Sequence, residues 1–255
     1  MSKIFRFMSF QSFVDTILRK KLTFIHPNLW QDPYEFNPLI DHIKYKLKNF
    51  SDKQEQLDSL LEYIITRKIY CQSWTELNES DALWRVYSHN NTSIRISVEK
   101  SKINLLNDVK KIKVKYIDDF NKVEFNDPNI YTFLKTKRKA FSHEREIRLV
   151  THYKFSSADD AKNKLKDLLT LLGKNEKFLQ DTSLDQINNK VDELNKRLNY
   201  NLKQDTKMIN YDHIDNFIES VMLNPFAPSW FEKTMEILCN KHNIKYLGKS
   251  QLYKE

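Results

Sequence analysis

Arg6 is a lone cation among Ile4, Phe5, Phe7 and Met8, and a guanidinium buried on an inner strand needs an anion beside it. That anion is either a carboxylate of the chain, with Glu146 the candidate, or a phosphate-bearing ligand, because guanidinium matches both. Far along the chain, Glu144 and Glu146 stand two apart with Arg145 between them and Arg148 beyond. On a strand this spacing sets both carboxylates on one face, where they divide the work of orienting a nucleophile and stabilising a cationic transition state. The same alternation also describes a solvated strand face.

Two aromatic segments raise similar alternatives. In Pro27 to Glu35, the residues Trp30, Asp32, Pro33, Tyr34 and Glu35 form either a substrate-facing loop or a rigid corner. The corner, with Asp32 capping a turn and the aromatics packed, is the expected one. Trp84 reads as core, whereas Tyr87 is placed to stack on a ligand ring. The seven histidines are scattered. Asp32, Glu35, Glu144 and Glu146 would supply the oxygens of a metal-dependent nuclease, but no spacing demands a metal and none is expected.

Composition narrows the field. Gly173 and Gly248 are the only glycines, so the glycine-rich turns of P-loop and Rossmann nucleotide sites cannot be built. Cys71 and Cys239 are the only cysteines, which suits free thiols and a cytoplasmic location better than a disulfide framework. No stretch has the length and apolarity of a membrane span or a secretion signal. The net charge is +8 and is unevenly spread. Lys100 to Lys139 holds eleven Lys and Arg against five Asp and Glu, whereas Asp159 to Lys207 holds ten against nine. The 100–139 region is therefore the candidate surface for nucleic acid.

Periodicity supplies the elements that must position these groups. Strands are expected at Ile4–Met8, Leu22–Ile25, Ile69–Trp74, Ser93–Val98, Ile112–Ile117, Glu144–Tyr153, Phe217–Leu223 and Ile244–Leu247. Helices are expected after Ser9 or Ser12, with Phe13, Ile17 and Leu18 as the apolar stripe, and after Ser80 or Asp81. Others are expected over Tyr131–Phe141, as a basic helix, and from a Ser229 cap to His242. A long polar helix is expected to run to about Thr66. Residues 156–210 read as a helical-hairpin insertion, and the heptad seam Leu184, Ile187, Val191, Leu194 and Leu198 is a surface for a protein partner or self-association. The whole is expected to be one α/β (α+β) domain over 1–255, with a mixed sheet surrounded by helices.

Taken in order, Ile4-Phe-Arg-Phe-Met8, Leu22-Thr-Phe-Ile25, Trp30-Gln-Asp-Pro-Tyr-Glu35, Cys71-Gln-Ser-Trp74, Leu83-Trp-Arg-Val-Tyr87, Ser93-Ile-Arg-Ile96 and Glu144-Arg-Glu-Ile-Arg148 resemble a bacterial family, domain of unknown function 2971. That resemblance implies a fold and a set of site candidates. More distantly, Arg6, Ile17-Leu18 and Leu22 to Ile25 are similar to the opening of ADP-ribosyltransferase folds. This second resemblance implies a split sheet that binds NAD without a glycine-rich loop. It assigns Arg6 to the dinucleotide phosphate, Tyr87 to the nicotinamide ring, and Glu146, with Glu144 beside it, to the oxocarbenium-like state; Trp84, Asp32 and Glu35 are further candidates for contacting NAD. The expectation is an ADP-ribosyltransferase-like enzyme, of the toxin or abortive-infection, phage-defence type. The alternatives are a non-catalytic module binding nucleic acid or protein, and the metal-dependent nuclease.

Overall fold

A computed structural model describes residues 2–35, 69–87, 90–118, 130–152 and 206–254. The polar helix expected to end near Thr66 and the 184–198 seam lie outside the described residues.

The chain opens with β1 (Lys3–Met8), α1 (Phe10–Arg19) and β2 (Lys21–Ile25). Ser9 caps α1 by accepting a hydrogen bond from the Ser12 amide, and Lys20 ends the helix in the left-handed conformation, φ 52°. Phe13, Thr16 and Ile17 are the buried side of α1. Leu18, expected in that stripe, is 65% exposed. Two 3-10 turns, Pro27–Leu29 and Pro33–Glu35, form the proline-rich corner. Then follow β3 (Ile69–Thr75), α2 (Asp81–Val86, capped by Ser80), β4 (Ile94–Glu99) and the single turn α3 (Lys100–Ile103).

Between residues 110 and 152 the expectations need correction. Ile112 to Ile117 is not one strand but two, β5 (Lys110–Lys113) and β6 (Lys115–Ile117), which belong to different sheets. The basic helix over Tyr131–Phe141 is replaced by α4 (Ile130–Leu134), β7 (Thr136–Arg138) and a 3-10 turn, Lys139–Glu144. The cause is tertiary: β7 pairs in parallel with β6, and strand pairing overrides local helix preference. β8 runs Glu146–His152, so Glu144 precedes the strand. Late in the chain, β9 (Thr206–Asn210) takes the end of the expected insertion into the sheet beside β2. β10 (Ser220–Leu223), α5 (Ser229–Lys241) and β11 (Lys245–Lys249) close the fold, with Pro228 rather than Ser229 at the N-cap of α5.

Nine strands of the described residues form a mixed sheet, the α/β arrangement expected. β8 pairs with β3 along all seven residues, from Ile69 with His152 to Thr75 with Glu146, and occupies one whole edge of β3. The opposite edge is shared. β1 meets it at one register, Phe5 with Thr75, and β2 at another, Ile25 with Cys71. From there two wings diverge, β1-β4-β10-β11 and β2-β9. The sheet is therefore split along β3.

Registry separates its two faces. Ile4, Met8, Ile94, Ile96, Val98, Trp74, Ile147 and Leu149 join Phe13 and Ile17 of α1 and Phe231, Met235 and Cys239 of α5 in the main core. On the other face, Phe7, Leu83 and Trp84 make a smaller cluster under α2. Among the described residues no helix is long and apolar enough to cross a membrane. Cys71 and Cys239 are buried free thiols.

Candidate functional site

The split creates the site. Past the Phe5–Thr75 register, the antiparallel ladder would continue with Arg6 opposite Trp74 and Phe7 opposite Ser73, but no pairing follows. Those residues line a cleft instead, together with Leu83, Tyr87, Glu144 and Glu146. Arg6, Tyr87, Glu144 and Glu146, four of the residues singled out in the sequence, therefore share one concavity. It is narrow, with about 280 Å³ of space that opens to solvent. That is too little to enclose a whole dinucleotide.

Arg6 is half-buried. Among the described residues no carboxylate or carbonyl pairs with its guanidinium, so the Arg6–Glu146 ion pair, one of the two alternatives, does not form. Burial pushes the Arg6 guanidinium down to about 10, with the Tyr87 oxygen acting in the other direction. Arg6 still carries its charge at neutral pH, and that charge is uncompensated.

The carboxylates opposite are held very differently. Glu146 is 3% exposed and both its oxygens are engaged. Oε1 accepts from Ser73 Oγ at 2.6 Å and Arg148 Nε at 2.9 Å; Oε2 accepts from Arg148 Nη2 at 3.0 Å and Lys137 Nζ at 3.2 Å. Burial alone would raise its pKa, but Arg148, Lys137 and Ser73 overcome this and hold it at about 2. Glu146 is a fixed anion rather than a proton carrier. Its backbone is pinned as well, its amide donating to the Tyr116 hydroxyl at 2.8 Å and its carbonyl accepting from Val114 N at 3.0 Å. Glu144 stands nearer solvent, its side chain 25% exposed. Its Oε2 accepts from Lys137 Nζ at 2.7 Å, while Oε1 has no partner among the described residues. The two glutamates do not share a face by strand alternation. Arg145 between them is left-handed, φ 44° and ψ 52°, and the turn brings both to the same lysine.

Beneath the cleft, the remaining carboxylates are absorbed into the structure. Glu35 is ion-paired to Arg148 Nη2 and to Lys137 Nζ, the latter at 3.1 Å, and burial raises its pKa against both cations. Arg148 is fully buried and lies over the Trp30 ring at 4.4 Å. Asp32 caps the turn at Tyr34 N, 3.1 Å, and receives Arg138 Nε and Nη2 at 3.1 and 2.9 Å. The proline-rich segment is thus the rigid corner, and neither Asp32 nor Glu35 lines the cleft. Trp84 does not either; it is 2% exposed and packs edge-on against Phe7 at 4.6 Å. These three therefore stand outside the cleft, with Asp32 and Glu35 ion-paired to Arg138, Arg148 and Lys137 and Trp84 donating through Nε1 to Glu79.

Lys137 is the residue that sequence reasoning missed. Its ammonium sits among Glu35, Glu144 and Glu146, where a metal would have to lie if those carboxylates were ligands, and they raise its pKa despite burial. No group of three metal-ligating side chains open to a metal ion occurs among the described residues. No spacing marks Lys137 in the sequence. The only signal is that two buried carboxylates, Glu35 and Glu146, outnumber Arg148 and require a second cation.

Comparison with family models, with curated proteins and with solved structures finds no match to this chain.

Proposed function

We propose that this chain is an ADP-ribosyltransferase-like enzyme that uses NAD, with the cleft in the split sheet as its reaction site. The observation that carries the reading is the polarity of that cleft: an unpaired guanidinium, Arg6, on one wall, and two carboxylates, Glu144 and Glu146, on the other. A ligand that is anionic at one end and develops positive charge at the other fits this field, and NAD losing nicotinamide is such a ligand. Arg6 holds a phosphate oxygen, Tyr87 covers the nicotinamide ring, and the fixed Glu146 anion stabilises the oxocarbenium character of the ribose through its field rather than by direct contact. The bond between ribose C1′ and the nicotinamide nitrogen breaks, neutral nicotinamide leaves with that electron pair, and an acceptor nucleophile bonds to C1′. The acceptor's proton passes to Glu144 and on to solvent. The small cleft takes the nicotinamide-ribose end, which leaves the adenylate half outside it. The resemblance of the ordered motifs to the domain of unknown function 2971, and the toxin or abortive-infection type of effector, belong to the same reading.

The test is nicotinamide release from NAD by purified protein, alone and with nuclease-treated or untreated cell extract. Arg6→Met and Glu144→Gln are each expected to lower turnover by about 10²-fold or more. No release by the wild-type protein under any condition, or release unchanged in both variants, overturns the proposal.

One observation favours a second reading, a binding module without turnover. Glu146 is already saturated by four donors. This reading expects ADP-ribose to bind, Arg6→Met to abolish binding, and no nicotinamide to appear.

A further inference from the structure

Among the described residues β5 pairs with β8 alone and so stands at an edge of the sheet, and Lys110, Lys111 and Lys113 on it are exposed. Lys115 follows on β6 and is also exposed. Lys135 and Arg145 are exposed beside them. Some of this charge is neutralised locally: Lys113 reaches Glu76 at 2.7 Å, and Lys110 lies over the Tyr131 ring at 3.8 Å. Lys115, Lys135 and Arg145 have no side-chain partner among the described residues.

These free cations are tied by backbone to the carboxylate wall of the cleft. Arg145 lies between Glu144 and Glu146 in sequence, Val114 between Lys113 and Lys115 donates to the Glu146 carbonyl, and the Lys115 amide donates to Lys135 O. In the sheet β5 lies two strands from β3, whose free edge bounds the cleft. At about 4.8 Å per strand, that is on the order of 10 Å, a distance one or two nucleotides span. Lysines on an edge strand also keep sheets from pairing edge to edge. That role does not account for Lys115, Lys135 and Arg145, which lie off β5.

We propose that this basic edge tracks the phosphates of single-stranded nucleic acid and delivers a base to the cleft as the acceptor of the ADP-ribosyl group. The inference rests on the transferase reading above. A single strand is required because the nicotinamide-ribose end of NAD fills the narrow cleft, so the acceptor must reach C1′ from the mouth, which an unstacked base does and a duplex does not. The balance is NAD plus a base N–H giving ADP-ribosyl-base, nicotinamide and a proton. The new bond joins ribose C1′ to the base nitrogen, and the proton leaves through the free oxygen of Glu144.

The experiment measures fluorescence anisotropy of labelled single-stranded DNA and RNA oligonucleotides against salt, alongside nicotinamide release. Wild-type protein is expected to bind at low salt, and K110Q/K111Q/K113Q/K115Q to flatten the slope of log K against log salt by about three. Arg6→Met is expected to bind oligonucleotide as wild type does while losing turnover, which separates this inference from the transferase reading. No oligonucleotide binding at 50 mM salt, equal binding by the quadruple variant, or turnover stimulated only by nuclease-treated protein extract overturns the nucleic-acid acceptor, whether or not NAD is cleaved. Stronger modification of the DNA or the RNA arm identifies the nucleic acid.

Discussion

Arg6 and Glu146 illustrate two fates of a charge inside a protein. Glu146 is surrounded by donors, and removing its charge strands Arg148 and Lys137 in a buried site. Glu146→Gln is therefore expected to cost about 3 to 5 kcal/mol of stability. Arg6 has desolvation without compensation, so Arg6→Met, which keeps the apolar stem, is expected to stabilise the fold by about 1 kcal/mol. Urea unfolding of both variants checks this. A destabilised Arg6→Met would mean that the guanidinium serves the fold rather than a ligand. Arg6 stands out in the sequence as a charge among apolar neighbours, whereas Glu146 stands out only by its spacing from Glu144, an alternation that the left-handed Arg145 breaks. Lys137 does not stand out, because its neighbours Arg138 and Lys139 make it look like part of a solvated basic run, and only the fold reveals that it turns inward.

Among the elements, those with strong periodicity and a side-chain cap were readable. Ser9 before α1 and Ser80 before α2 are both caps in the structure. The failures share a cause, since β6 and β7 exist only by pairing with each other and β9 only by pairing with β2. Neither segment carries an alternating pattern of its own. Glycine scarcity leaves another mark: Lys20, Asn91, Asp108, Arg145, Asn216 and Asn243 all adopt positive φ. Four of these are Asn or Asp, which tolerate the conformation, whereas Lys20 at the end of α1 does not. Lys20→Gly is expected to add about 0.5 kcal/mol and raise Tm by about 1 to 2 °C. A lower Tm in a thermal melt would show that the lysine side chain contributes more than its backbone strain removes.

At the level of the whole molecule, stability should depend on acid through the buried network. Glu146 is held at about 2 against an ordinary value near 4.5. A carboxyl depressed on folding contributes stability above its unfolded value and loses it as pH falls through its folded value. The contribution is thus complete above about pH 4.5 and drains away toward pH 2. Glu76, lowered by hydrogen bonds from Lys113 and Lys100, acts in the same sense; Glu35, raised by burial, acts in the opposite one. The urea midpoint is expected to fall steeply over that window, and less steeply in Glu146→Gln. A midpoint flat from pH 5 to 3, or an equally steep fall in the variant, would show that the network does not control acid unfolding. The alternation of strands and helices made the α/β class readable, but the split did not show in the sequence pattern, because it is a missing ladder between two strands that each look complete. Backbone pairing holds the molecule together on both sides of that gap, while only side chains set its width. Exchanging Phe5, Phe7 or Leu83 for other apolar residues would retune what enters without shifting any strand, so descendants of this chain could alter their diet by point changes and inherit the frame intact.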